Sequence, residues 1–91
     1  MITVERIDEE TFRVTVRQRT STVHTVTVSP AHHRRLTGGR AGPEALVEAS
    51  FRFLLEREPN TAILSAFEID EIGRYFPEYE AAMQARFGAG G

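Results

Sequence analysis

Over residues 1–28, apolar and polar positions alternate. In TFRVTVRQR, Phe12, Val14 and Val16 share one parity, and Arg13, Thr15, Arg17 and Arg19 the other. Period two with β-branched side chains predicts a half-buried strand. ITVERI before it is shorter, with Ile2 and Val4 inward and Glu5 outward. VHTVTV after it sets Val26, Val28 and, by the same parity, His24 inward. Polar DEE and RTST join neighbours closely, so the sequence predicts a three-stranded antiparallel meander.

From Ser29 the period changes. In SPAHHRRLTGG, Ser29 is a candidate N-cap, Pro30 the first helical residue and Gly38 the stop, which predicts one or two helical turns. GGRAG follows as a flexible link. PEALVEASFRFLLERE predicts a helix over residues 43–58. Pro43 opens it, and Glu44 in the first turn suits the helix dipole. Leu46, Val47, Phe51, Leu54 and Leu55 form an apolar stripe, edged by Ser50 and Phe53. Glu48 and Arg52 form an i,i+4 pair. Pro59 ends the helix, and Asn60 caps a short helix TAILSAF with Ile63, Leu64 and Phe67 inward.

Ile69, Ile72, Phe76, Tyr79 and Met83 then follow at spacings of three, four, three and four. This helical stripe starts behind a candidate cap at Asp70 and runs through Pro77. Proline inside a helix removes a hydrogen bond and collides with the carbonyl four residues back. The sequence therefore predicts a kink, or a break with a new helix at Pro77, with Ile72, Phe76 and Tyr79 in the core. Residues 88–91 lose all periodicity and are expected to be disordered.

Composition changes this picture in three ways. Ninety-one residues make one domain, of about 5–9 kcal/mol stability for so short a chain. There is no cysteine, hence no disulfide, and no apolar run approaches the ~20 residues that span a bilayer. MITVERIDEE has neither the basic nor the apolar region of a signal peptide. The expectation is a soluble, cytoplasmic, bacterial-looking chain with no membrane partner. Finally, all eleven basic side chains are Arg, and charge is split along the chain. Residues 1–42 carry a net +3 and residues 43–91 a net −5. One small domain can then present a basic face and an acidic face.

Chemistry-bearing motifs are sparse. His32 and His33 are adjacent and point about 100° apart on a helix, so they share no i,i+4 metal face. TGGRAG lacks the lysine of a phosphate-binding loop, and no serine sits in a nucleophile motif. No catalytic, cofactor or metal site is predicted, and the expectation is a non-enzymatic protein. Two surface features remain. Arg13, Arg17 and Arg19, with Arg34, Arg35 and Arg40 after the sheet, can contact phosphates. A solvated face with Arg13 or Arg17 paired to Glu5 explains them equally, and a pI near 5.9 disfavours nucleic acid. Tyr75, one position off the apolar stripe and beside Arg74, has the composition of an interface hot spot.

The stretch FRFLLEREPNTAILSAFEIDEIGRYFPEYE, residues 51–80, resembles a C-terminal signature of short uncharacterised bacterial proteins. That resemblance extends to RRLTGG and PEALVEASF and implies no activity, cofactor or site residue. The plan of strands followed by helices is also similar to small antitoxin proteins. The sequence thus predicts a single α+β domain over residues 1–87: a meander over 1–28, a short helix and link over 29–42, and helices over 43–87. Three to four helices cover one face of the sheet. The expected function is a small interaction or regulatory module, a homodimer with a protein partner bound through Arg74 and Tyr75. The alternative is a nucleic-acid-associated or antitoxin-like regulator using the Arg-rich sheet face.

Overall fold

In the computed structural model, which describes residues 1–88, the alternating segments are strands: β1 (Ile2–Arg6), β2 (Thr11–Arg17) and β3 (Ser21–Thr27). They pair antiparallel in chain order, with Val4 opposite Val14 and Val14 opposite His24. Phe12, Val14, Val16, His24 and Val26 are buried on one face. Thr3, Glu5, Arg13, Thr15 and Arg17 line the other. Glu5 and Arg13 are cross-strand partners joined at 2.9 Å, so the strand register itself supplies the ion pair.

Helix α1 (Pro30–Thr37) forms as its end signals dictate. The Ser29 hydroxyl accepts from the His32 N–H, Pro30 opens the first turn, and Gly38 closes the helix at φ 64°. A side chain at that φ would be strained, which is why glycine ends the helix there. Helix α2 (Pro43–Leu55) ends three residues earlier than expected, before Pro59 is reached. Leu46, Val47, Phe51 and Leu54 enter the core, and Ser50 and Phe53 are buried with them. The stripe is wider than its strict spacing implies because the helix is covered by the sheet on one side and by the C-terminal helices on the other.

Several expectations fail after α2. The sheet has four strands, not three, and is mixed rather than purely antiparallel. TAILSAF is not a helix. Asn60–Ala62 makes one 3₁₀ turn, and Ala66–Glu68 is a fourth strand, β4, parallel to β3 with Phe67 opposite Val26. A three-residue strand is too short to show a period, and its strand character comes from β3, far away in sequence. Leu64, expected inward, is exposed. Asp70 caps nothing: it lies inside a 3₁₀ turn, Ile69–Glu71, and the Glu71 carboxylate accepts from the Glu68 N–H instead.

At Pro77 the chain breaks rather than kinks. Helix α3 (Ile72–Tyr75) stops, Phe76 turns extended at φ −130°, ψ 90°, and α4 (Tyr79–Phe87) starts two residues after Pro77, not at it. A residue before proline is pushed out of the helical region, so α3 cannot continue through Phe76. Arg57 secures the corner. It donates to Glu78 at 3.0 Å and lies 3.5 Å above the Phe53 ring. The Glu78 backbone N–H, aided by Arg57, holds the Glu78 carboxyl below its usual pKa. The stripe nonetheless stays on one side: Ile69, Ile72, Tyr79 and Met83 are buried, while Phe76 is only partly so. Gly88 closes α4 at φ 72°. The rest of the expected disordered tail, 89–91, lies outside the described residues.

Tyr79 is the largest fully buried side chain. Its hydroxyl sits 2.6 Å from Ser50 Oγ, which itself donates to the Leu46 carbonyl at 2.7 Å. Burial pushes the Tyr79 pKa well above its ordinary 10.0. A raised pKa in the folded state means the native protein keeps a proton that the unfolded chain releases. Stability from this group is complete below pH 10 and is lost above it, by about 1.4 kcal/mol per pH unit. Urea midpoints measured on both sides of pH 10 should fall steeply on the alkaline side, and Tyr79→Phe should flatten that fall.

Candidate apolar docking groove

An apolar groove of about 220 Å³ opens between the end of α2, the segment leading into β4, and α3. Its floor includes Leu54, Ile63 and Ile72, and partly buried Phe67 and Phe76 form its sides. Leu64 and Tyr75 stand at its mouth, 52% and 68% exposed. The charged lining residues are Glu58 and Glu71, and neither makes an ion pair among the described residues. The rim is therefore anionic over an apolar floor.

A buried polar network sets the groove wall. His24, 2% exposed, has Nδ1 2.7 Å from the Leu64 carbonyl and Nε2 2.9 Å from Thr22 Oγ1. A carbonyl only accepts, so Nδ1 donates and Nε2 accepts the Thr22 hydroxyl proton. Thr22 Oγ1 in turn accepts from the Asn60 amide at 3.1 Å, and that amide also donates to the Thr20 carbonyl at 2.6 Å. The network ties β3 to the 60–64 segment and holds Leu64 turned outward. Phe51 packs against the His24 ring at 5.3 Å. The one signal for this in the sequence was His24 itself: a histidine inward by alternation needs buried partners.

The expected partner-binding pair divides. Tyr75 lines the groove, whereas Arg74 lies across α3 in a polar cleft with His32, Arg35, Asp70 and Glu80. The arginine set does not converge on one face either. Arg13 and Arg17 project from the outer face of β2, and Arg19 lies in the following turn. Arg34 and Arg35 belong to α1, in the helical layer on the opposite face. Arg35 is paired to Glu80 at 2.8 Å and Arg13 to Glu5. His33 meets the Ala41 carbonyl at 2.6 Å, which fastens the glycine-rich link to α1. Among the described residues, no group of His, Asp or Glu is arranged to hold a metal ion, and no helix is long and apolar enough to cross a membrane.

No protein-family model matches the chain, and no curated protein or solved structure matches it.

Proposed function

We propose that this chain is a non-enzymatic interaction or regulatory module, acting as a homodimer, that takes a protein partner in the α2–β4–α3 groove. One observation carries this reading: two large apolar side chains, Leu64 and Tyr75, are held exposed at the mouth of an apolar groove. Size favours one class of ligand. Sites for drug-sized molecules run about 300–1,000 Å³, while a 150 Å³ cavity holds benzene. A space of 220 Å³ accepts one large side chain rather than a whole metabolite. Glu58 and Glu71 decide its surroundings: the inserted side chain sits on a segment flanked by basic residues. The nucleic-acid alternative has weaker support, because Arg13 and Arg35 are engaged by Glu5 and Glu80 and the remaining arginines are divided between faces.

The test uses a short fluorescent peptide with one Phe between Arg residues, and its counterpart with Glu in place of Arg. Binding is expected for the first and not the second. Tyr75→Ala should weaken it by about 1–2 kcal/mol, roughly 5- to 30-fold, with the thermal melt unchanged. Equal binding of both peptides, or indifference to Tyr75→Ala, would remove the groove from the account.

A further inference from the structure

The two edges of the sheet are treated differently. β4 is three residues long, and the Glu71 carboxylate occupies the N–H of Glu68. Short length and inserted charge are how natural sheets protect an edge. β1, the other edge, is five residues, ITVER, without proline. Its charges are already engaged: Glu5 with Arg13, and Arg6 at 3.8 Å from Glu44. Ile2 and Val4 remain half-buried, and Ile7 just beyond the strand is exposed.

The ladder shows which backbone groups are free. Met1 and Arg17 exchange hydrogen bonds of 2.8 Å, and Ile7 donates to Thr11 at 2.8 Å. Bonded pairs alternate in an antiparallel ladder, so Thr3 and Glu5 face β2. The N–H and C=O groups of Ile2, Val4 and Arg6 point away from the sheet. We propose that this edge is the homodimer interface: β1 pairs antiparallel with β1 of a second copy about a twofold axis at Val4. This deepens the homodimer part of the function proposed above and rests on it.

That register is self-complementary. Ile2 meets the partner's Arg6, Val4 meets the partner's Val4, and every outward N–H and C=O of these residues finds a mate. On the outer face Thr3 stands opposite the partner's Glu5, so no like charges are opposed. The result is one continuous sheet through two copies, with both grooves left open. A strand pair buries area at the low end of stable interfaces, the class that includes weak and transient ones.

The chain has no cysteine, so introduced thiols report cleanly. In this register Thr3 and the partner's Glu5 form a non-bonded pair about 4.5 Å apart at Cα, within disulfide range. Two copies of Thr3 are too far apart to bridge. Under mild oxidation, mixed Thr3→Cys and Glu5→Cys chains should cross-link, and either alone should not. Val4→Pro, which removes an outward N–H and replaces a half-buried valine with a side chain of similar size, should weaken the dimer at least tenfold in light scattering while circular dichroism stays native. Cross-linking of single variants as strong as of the mixture overturns the register. A mass of twice 10.2 kDa in Val4→Pro without mixed cross-linking overturns the β1 interface while leaving a dimer. A monomer at every concentration overturns both.

Discussion

Tyr79→Ala is expected to destabilise the protein by about 3–5 kcal/mol, enough to leave a domain this small close to unfolded at 25 °C. The ring is fully buried and packs edge-on against Phe53 at 5.4 Å. Removing it opens a cavity between α2 and α4, which little can fill because Ser50 and Met83 are themselves fixed in the core. It also deprives Ser50 of the Tyr79 hydroxyl, worth about 1 kcal/mol. Phe76→Ala provides the comparison. Its spacing makes it as much a core residue as Tyr79, yet the Pro77 break leaves it partly exposed at the groove, against Phe53 at 5.9 Å. It should cost only about 1–2 kcal/mol. Urea denaturation of both variants checks the order. A larger loss at Phe76 would mean that the corner at Pro77 is packed differently.

His24→Ala should cost about 2–4 kcal/mol, although histidine is rarely counted among core residues. The substitution leaves the Leu64 carbonyl without its donor and the Thr22 hydroxyl without its acceptor, and it opens space beside Phe51. The consequence reaches the surface. With the Leu64 carbonyl no longer held by His24, Leu64 loses its fixed position and the groove wall loosens, although Asn60 still ties the start of the segment to β3. Peptide binding should fall with stability, though His24 does not line the groove. His24→Asn, whose side-chain amide can replace Nδ1 as donor to Leu64, should recover part of both. If His24→Ala melts like the parent protein, the network does not hold this segment.

Most of the fold was legible wherever local chemistry decided it. The meander followed from alternation, α1 from Ser29, Pro30 and Gly38, and the body of α2 from its apolar stripe. What escaped depended on distant partners. β4 exists because β3 offers it a parallel edge, and nothing within Ser65–Glu68 announces that. Leu64 reads as core by composition, but the pull of His24 on its carbonyl turns its side chain outward. The candidate site was half legible for the same reason. Tyr75 was marked by standing off the stripe beside Arg74, but the groove it borders is assembled from three segments, all expected to be helical, and the middle one, leading into β4, is not. Arg74 was paired with it by adjacency in sequence, whereas a helical turn directs neighbours to different faces.

The most direct measurement is a map of amide chemical shifts during titration of the Arg-flanked Phe peptide. Changes should concentrate at Ile63, Leu64, Phe67, Ile72 and Tyr75, with the outer sheet face around Arg13 and Arg17 unmoved. Changes centred on Arg13, Arg17 and Arg19 instead, or none at the groove at saturating peptide, would contradict docking in the groove.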